Sequence, residues 1–286
     1  MHYRLAQNDL TLILAISRGT TLSRAADLLA QDTSSVHRAL GRLERRLGQA
    51  LFDRGRWGCR PLPAALPLIH AAEVAEDALL EAQARMASSE GPPSGLARLS
   101  TTDAVLEGLL LPLLSDLLQR YPQIQLELST DNAFLNLSRH EADLALRLTA
   151  CPPTQLVGRR LRQVHYRLCA TPGYLETAGR DSSRWRWIAP DDLLPDHPSV
   201  LWRRRHHPGI QPDVRCDTIL GVARLVRAGL GVALLPDFLI DPAWPVLAIP
   251  QDLPPAELWL LMRPGCRALR PVRTLYQVLG DALVSA

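Results

Sequence analysis

Apolar and polar residues alternate at helical spacing through the first thirty positions. The apolar side chains of residues 10–16 share one face, which predicts a first helix capped by Asn8 or Asp9. Thr21 and Ser23 are both suitable caps for a second helix. In that helix the small pair at positions 25 and 26 faces inward, so another helix is able to cross closely.

A third helix follows a polar break, with Asp32 as its predicted cap. Val36, Leu40 and Leu43 repeat at i, i+4 and i+7 and predict its buried face. The opposite face carries hydroxyls near the start and arginines further along, a pattern suited to contacts with phosphates and base edges. Counting the segment after the helix as well, the expected DNA-binding residues are Thr33, Ser34, Ser35, His37, Arg38, Arg42, Arg54 and Arg56.

The segment after this helix has the pattern of a small β-wing. Leu47 and Gly48 predict a helix end, residues 50–52 a short strand, and residues 53–58 a turn rich in glycine and arginine. The arginines of such a wing would grip the DNA backbone or the minor groove. A plain helical hairpin with a solvated arginine face is the alternative.

A long helix is predicted next, with an apolar seam at alternating spacings of three and four. The seam residues are Ala65, Leu68, Ala72, Ala75, Leu79, Ala82 and Met86. This spacing favours a coiled coil that pairs two subunits, and a core helix within one subunit is the alternative. Serine, glycine and proline at residues 88–95 predict a domain boundary.

Strands and helices alternate through the rest of the chain, which predicts α/β architecture with parallel sheets. Strands are expected at residues 96–100, 124–130, 143–148 and 258–262. Segment 166–175 repeats the alternation, and segment 213–240 is expected to form a strand, a helix and a strand. Helices are expected at residues 104–122 and near 271–283.

Composition excludes several classes of protein. The 286 residues are 47% hydrophobic, and no uncharged apolar run reaches the length of a membrane span. The N-terminus does not resemble a signal peptide, so we expect a cytoplasmic protein that has no membrane partner. The five cysteines are widely spaced and form no CxxC pair. With no Walker loop, no GxSxG elbow and no spaced metal ligands, we expect no cofactor, no metal site and no enzymatic activity.

Charge is distributed unevenly along the chain. Ten arginines and five acidic residues precede position 63, a net charge of +5, whereas the whole chain carries only +3. The remainder is therefore slightly acidic. This asymmetry predicts a polyanionic partner for the first sixty residues.

The stretch LSRAADLLAQDTSSVHRALGRLERRLGQALFDR resembles the winged helix-turn-helix of LysR-type transcriptional regulators. The matching features are a paired alanine in the second helix, Leu-Glu at the end of the third helix, then Leu-Gly and Leu-Phe-x-Arg. Asp32 and Thr33 replace the usual Ser-Gln pair of the family. His37 replaces the usual serine before the arginine, which is kept as Arg38.

The resemblance extends over nearly the whole chain and implies its domains. These are a winged helix-turn-helix at 1–62, a linker helix at 63–90 and an effector-binding domain at 91–286. The last domain would contain two Rossmann-like lobes, as in periplasmic binding proteins, with lobe I at 96–162 plus 267–286 and lobe II at 163–266. YPQIQLEL, EADLALR, CATPGYL and AGLGVALLPDFL are the segments that carry this similarity.

In a fold of this kind the ligand lies between the lobes, where strands end and helices begin. The expected effector-binding residues are Thr101, Thr102, Trp202, Asp217 and Thr218. The alternative for the threonines and Asp217 is simple helix capping. Expected partners are double-stranded DNA at a promoter or operator, a small-molecule effector, further copies of the chain in a homodimer or homotetramer, and RNA polymerase.

A different class of function is also compatible with the same pattern. The chain would then be a small-molecule-binding or catalytic α/β protein whose N-terminal helices serve only to form a dimer. The arginine-rich wing and the net positive charge of the residues before position 63, which we call the head, favour the DNA-binding regulator.

Overall fold

The computed structural model describes residues 4–86, 91–130, 142–154, 156–179, 181–192, 194–209, 211–248 and 253–284. The chain forms two compact units. The first contains the N-terminal 91 residues and the segment Pro264–Arg270, and the second contains the described residues within 92–263 and 271–284. Part of the predicted boundary segment, residues 88–90, lies outside the described residues.

The first unit consists of helices and a two-stranded antiparallel wing. In chain order its elements are α1 Gln7–Gly19, α2 Leu22–Leu29, α3 Thr33–Leu47, β1 Phe52–Gly55, β2 Gly58–Pro61 and α4 Leu66–Met86. The predicted wing is confirmed. Its first strand begins at Phe52, two residues later than predicted, and residues 53–55 and 58, predicted as turn, belong to its two strands.

The helix caps follow the sequence with one exception. Thr21 accepts a hydrogen bond from the Arg24 amide at 3.2 Å, which confirms it as the cap of α2. The prediction of Asn8 or Asp9 as the cap of α1 was wrong. The helix begins at Gln7, so the N-cap residue is Ala6. Asp9 lies in the first turn instead, and its carboxylate accepts a hydrogen bond from the Ala6 amide at 2.8 Å.

The core of the first unit is formed by the inner faces of the first three helices and the wing. Val36, Leu40 and Leu43 are fully buried, as their spacing predicted. Burying each of these side chains contributes about 1.5–3 kcal/mol, which fixes the rotation of α3 and leaves its polar face exposed. The wing packs closely on the turn between α1 and α2. A Cβ on Gly58 would lie 2.3 Å from the Thr20 carbonyl oxygen, so this contact requires glycine.

The linker helix α4 is partly a core helix of its own subunit. Ala65 and Ala72, two of the predicted seam residues, are buried within the first unit. Arg18 of α1 forms an ion pair with Glu76 of α4 at 2.5 Å. Further along the seam, Leu79 is half exposed and Met86 is almost fully exposed. The intersubunit role of that end of the helix remains a prediction.

The elements after α4 alternate as expected. Their bounds are β3 Gly95–Thr101, α5 Asp103–Val105, a π-helical segment Leu106–Leu110, α6 Leu111–Arg120, β4 Ile124–Thr130, β5 Leu144–Leu148, β6 Val157–Val164, β7 Tyr166–Cys169, α7 Pro172–Ala178, β8 Ile188–Pro190, α8 Pro198–His206, β9 Val214–Cys216, α9 Ile219–Arg227, β10 Ala233–Pro236, β11 Val246–Leu247, β12 Ala256–Met262 and α10 Arg270–Val284. Short 3₁₀ turns occur at Ser182–Arg184, Asp237–Leu239 and Pro264–Ala268.

The second unit contains sheets of mixed direction. A five-stranded sheet has the order β4-β3-β5-β12-β6, in which β3 is parallel to β4 and β5, whereas β12 is antiparallel to β5 and β6. A second sheet, β10-β7-β11, is antiparallel, and β8 pairs with β9 in parallel. The expected parallel pairing is confirmed for β3 with β4 and β5 and for β8 with β9, whereas the other strand pairs of this unit are antiparallel. The chain enters and leaves the second lobe on strands that run in opposite directions, which makes β12 antiparallel to its neighbours.

This topology moves one of the predicted lobe boundaries. The chain passes from the five-stranded sheet into the second sheet at His165, between β6 and β7, close to the predicted position. The predicted second boundary at 266 placed β12 in lobe II. The hydrogen bonds of β12 to β5 and β6 place it in lobe I, so the return crossover lies between β11 and β12.

Candidate functional site

The polar face of α3 displays most of the residues predicted to bind DNA. Side chains at five of these positions are exposed to solvent: Thr33, Ser34, His37, Arg38 and Arg42. Ser35 is partly buried. Because the buried residues of α3 fix its rotation, these groups form one continuous outward surface.

Asp32 engages the hydroxyls at the start of that surface. Its carboxylate accepts hydrogen bonds from the Ser34 hydroxyl at 2.5 Å, the Ser35 hydroxyl at 2.7 Å and the Ser35 amide at 2.8 Å. Arg38 donates to the Ser35 hydroxyl at 3.2 Å. The two serine hydroxyls lower the pKa of Asp32 well below its usual range, so the carboxylate stays charged. Both serine hydroxyls already donate their protons to Asp32. Toward an incoming ligand their oxygens therefore act as hydrogen-bond acceptors rather than as donors.

Arg54 joins the wing to α3. Its guanidinium forms an ion pair with the Glu44 carboxylate at 2.5 Å, and Glu44 is almost fully buried. The same carboxylate accepts hydrogen bonds from the Leu51 and Phe52 amides at 2.9 and 3.3 Å. Glu44 thus fixes the first strand of the wing through its backbone and through Arg54. The Leu-Glu and Leu-Phe-x-Arg motifs in the sequence are the two halves of this contact.

Arg56, by contrast, lies at the exposed tip of the wing. Its guanidinium stacks over the ring of Trp57 at 4.9 Å, and 73% of Trp57 is exposed. This arginine is available to a polyanion, whereas Arg54 is held by the fold.

The second unit contains a cavity of 740 Å³ at the carboxyl ends of β3 and β5. Its lining comes from both lobes. Lobe I contributes the β3–α5 turn, the end of β5 and the segment before β12. Lobe II contributes the start of β7, helix α8 with the loop before it, and the first residue of α9. This is the place where open α/β sheets bind ligands, and the volume suits a small organic molecule.

The predicted effector-binding residues divide between the cavity and the framework around it. Thr102 and Trp202 line the cavity. The other three do not appear among the described lining residues of this cavity. Thr101 is buried beneath the sheet edge, where its hydroxyl donates to the Leu146 carbonyl at 2.9 Å. Thr218 caps α9 by accepting from the Gly221 amide at 3.0 Å, and the exposed Asp217 lies beside Cys216. At the start of α9, Ile219 lines the cavity instead.

Two side chains accept hydrogen bonds from the first backbone amides of the helix that faces the cavity. The Thr102 hydroxyl accepts a hydrogen bond from the Val105 amide at 3.3 Å, and the Asp103 carboxylate accepts one from the Ala104 amide at 2.8 Å. Amides at the start of a helix are ordinarily available to an anionic ligand. Here the carboxylate of Asp103, which also lines the cavity, occupies that position.

Tyr166 and His197 form a polar pair on the lobe II wall. The Tyr166 hydroxyl lies 3.3 Å from Nε2 of His197, and the rings meet edge to face. On the other side of the imidazole, Nδ1 lies 2.7 Å from the Ser199 hydroxyl and accepts from the Ser199 amide at 3.3 Å. Desolvation lowers the pKa of His197 to about 4, so the ring is neutral at physiological pH. Burial raises the pKa of Tyr166 and keeps the phenol protonated.

Much of the remaining wall is apolar. Trp202 is almost fully buried, with the rings of His206 and His207 at 5.6 and 5.0 Å from its own. Its indole N–H has no acceptor among the described residues. The apolar lining residues are Ala104, Leu148, Ala150, Leu194, Pro198, Leu201, Ile219, Pro236, Leu253, Pro254, Pro255 and Ala256.

The sequence-based site assignment left out seven polar residues of the lining: Asp103, Thr149, Tyr166, Asp196, His197, Arg205 and His206. Asp103 follows Thr102 at a predicted helix start, so its neighbourhood was detectable. Tyr166 opens a predicted strand, where an apolar role is the ordinary expectation. His197 lies in a loop without periodicity, and only the tertiary fold brings it to Tyr166.

Comparison with known protein families matches almost the whole chain. Residues 7–66 match the family described as "Bacterial regulatory helix-turn-helix protein, lysR family". Residues 90–284, more than half of the chain, match "LysR substrate binding domain". The chain belongs to the LysR family of transcriptional regulators.

Curated LysR-type relatives are similar over most of their length. The Mau operon transcriptional activator of Paracoccus denitrificans is 30% identical over 279 residues, which cover 91% of this chain and 90% of the relative. The HTH-type transcriptional regulator CrgA of Neisseria meningitidis serogroup C is 28% identical over 239 residues, with coverage of 82% and 80%. Both relatives are named as regulators of transcription.

Solved LysR-type structures share the fold. CrgA of Neisseria meningitidis gives a TM-score of 0.58 at 21% identity and covers 98% of this chain and 99% of its own. The effector-bound LysG of Corynebacterium glutamicum gives 0.67 at 19% identity, with coverage of 98% and 99%. In the LysR-type chain described here, no helix among the described residues is long and apolar enough to cross a membrane.

Proposed function

We propose that this LysR-type regulator binds double-stranded operator DNA through the outward face of α3 and the tip of the wing, and that a small molecule in the 740 Å³ cavity controls this binding. The observation that carries the proposal is the exposed surface formed by His37, Arg38 and Arg42 on a helix whose rotation is fixed by a buried core. Guanidinium groups on such a helix suit contacts with guanine edges and phosphates.

The roles of the individual residues differ. Arg38 and Arg42 are the candidate contacts in the major groove, with Thr33, Ser34, Ser35 and His37 around them. Arg56 is the candidate backbone contact of the wing. Arg54 supports DNA binding indirectly, because its ion pair with Glu44 positions the wing.

The cavity is the proposed effector site because it is preformed, concave and lined by both lobes. On the inner side of the lobes, Ala104 of lobe I packs in one apolar cluster with Ile219 and other lobe II residues. Gly108 also approaches Phe238 so closely that an added Cβ would lie 2.4 Å from the ring. A ligand that favours one arrangement of the lobes shifts the equilibrium between arrangements of the oligomer.

The regulator acts as a homodimer or homotetramer, since a two-fold assembly presents two DNA-reading heads to two half-sites. Its place of action is the cytoplasm, where the chromosome lies, and RNA polymerase is a further partner at the promoter. Regulation rather than catalysis is the activity that these features support.

The test is a DNA titration of the full-length protein after mapping its binding sites across the genome. Arg38→Ala is expected to weaken binding to the mapped operator by at least about tenfold, since a bidentate base contact is worth about 1–3 kcal/mol. Arg273→Ala is the matched control, because Arg273 is an exposed arginine in α10. Equal DNA affinity for parent and Arg38→Ala would contradict the proposed interface, and absence of any DNA binding would contradict the function.

A further inference from the structure

The charges around the cavity bear on the chemistry of its ligand. Two carboxylates, Asp103 and Asp196, and one guanidinium, Arg205, belong to the lining. Asp196 and Arg205 are both exposed, so solvent screens their opposite charges. Asp103 is less exposed and lies at the helix start in lobe I, where its charge is screened less.

Asp103 also fills the position in which an anion would bind. Its carboxylate takes the hydrogen bond of the Ala104 amide, and the Thr102 hydroxyl takes that of Val105. A carboxylate ligand placed there would lose these donors and would face a like charge. The helix start therefore repels anions rather than attracting them.

Apart from the exposed guanidinium of Arg205, the cavity has an uncharged hydrogen-bond donor in the pair formed by Tyr166 and His197. Because Nδ1 of His197 accepts from the Ser199 amide, it is the unprotonated nitrogen, and the proton resides on Nε2. Nε2–H then donates to the Tyr166 oxygen at 3.3 Å. The proton of the Tyr166 hydroxyl is therefore available for a hydrogen bond to an acceptor in the cavity.

We propose that the cavity binds an uncharged, largely apolar molecule that carries a hydrogen-bond acceptor, such as an amide or a ketone, and that it excludes carboxylates. The assignment rests on the proposed function of this cavity as the effector site. Tyr166 holds the acceptor, the leucine, isoleucine and tryptophan side chains enclose the apolar body, and Asp103 determines selection against anions.

The experiment uses matched probes that share one apolar body and differ in charge. They are 4-phenylbutanamide, 4-phenylbutanoate and 4-phenylbutylamine, with the corresponding amide, acid and amine of an indole scaffold. Each is titrated calorimetrically into the full-length protein at millimolar concentration. The amides are expected to bind at least about tenfold more tightly than the acids, which is about 1.4 kcal/mol.

Two isosteric variants assign the effect to residues. Asp103→Asn keeps an acceptor for the Ala104 amide but removes the charge, so the preference for amide over acid is expected to fall to about threefold or less. Tyr166→Phe removes only the donor and is expected to weaken amide binding by about three- to tenfold. Asp116→Asn is the control, because this carboxylate is exposed on α6 and lies outside the lining.

Tighter binding of the acid or the amine than of the amide would overturn the proposal. So would an unchanged preference in Asp103→Asn, or a failure of every amide to bind. These results are separable from failure of the proposed function, since DNA binding by the same preparation is measured without any probe. A protein that binds its operator but prefers acids would keep its function and lose this assignment.

Discussion

The buried carboxylate of Glu44 and the guanidinium of Arg54 meet at 2.5 Å and hold the wing against α3. The partners lie ten residues apart in the chain, one near the end of the helix and the other in the first strand of the wing. Because Glu44 also accepts from two wing amides, a single carboxylate organises this junction.

Arg54→Ala is therefore expected to act through stability. Removing the guanidinium leaves a nearly buried charge without its cationic partner and should lower the free energy of unfolding by about 1–2 kcal/mol. Hydrogen–deuterium exchange of the full-length protein at increasing urea concentration, read on peptides from residues 33–61, measures this change. Glu44→Gln keeps the size of the side chain and should destabilise the head by a similar amount. If both variants unfold at the parent's urea concentration, the pair has no structural role.

Arg56→Ala is expected to show the opposite profile. The side chain is exposed at the wing tip, so stability should remain within about 0.5 kcal/mol of the parent. Loss of one phosphate contact in each of two DNA-bound subunits should reduce the magnitude of the slope of log affinity against log salt by about 1.8, which is about 0.9 per contact. Fluorescence anisotropy with operator DNA at several salt concentrations measures the slope. An unchanged slope would place Arg56 outside the DNA interface.

The exposed end of the linker seam is expected to carry subunit association. Leu79 is 50% exposed in the single chain, and Leu79→Asp would place a charge where a second chain should bury this side chain. Sedimentation velocity of the full-length variant should show a shift toward smaller species. Val74 is 56% exposed on another side of the same helix, so Val74→Asp is the matched control and should sediment like the parent. An undisturbed oligomer in Leu79→Asp would show that the interface lies elsewhere.

The lowered pKa of His197 predicts how the free energy of unfolding depends on pH. Its pKa is about 4 in the folded protein against an ordinary value of 6.5, so the unfolded chain takes up a proton that the folded ring does not. Stability should therefore fall as the pH drops from 6.5 toward 4, with a slope of up to about 1.4 kcal/mol per pH unit from this residue. His197→Gln removes the titrating group. Urea denaturation between pH 7 and 4.5 should give a shallower slope for this variant, and identical slopes would contradict the assignment.

Local chemistry made much of the first unit predictable. Asp32 as a helix cap, Gly48 as a helix end and the buried residues Val36, Leu40 and Leu43 follow from short-range rules about hydrogen bonding and periodicity. The exposed face of α3 followed from the same periodicity. The ion pair of Arg54 did not, because an arginine in a turn has the same sequence pattern whether it is free or paired.

The second unit depended more on long-range contacts. Alternation located its strands, since apolar runs between turn residues are local signals. The antiparallel insertion of β12 between β5 and β6 depends on partners more than ninety residues away in the chain. The same holds for the cavity, where Thr102 and the neighbouring Asp103 were detectable from a strand end, whereas Tyr166 and His197 were not.

The sequence by itself determined the family, the order of the elements and the residues that face outward on α3, because each of these depends on neighbours within a few turns of chain. Only the tertiary structure decided which polar groups meet. Thr101 and Thr102 are adjacent threonines, yet the first donates to a neighbouring strand and the second faces the cavity. Successive residues at a strand end point in opposite directions, so the register of the sheet assigns one to the framework and the other to the ligand.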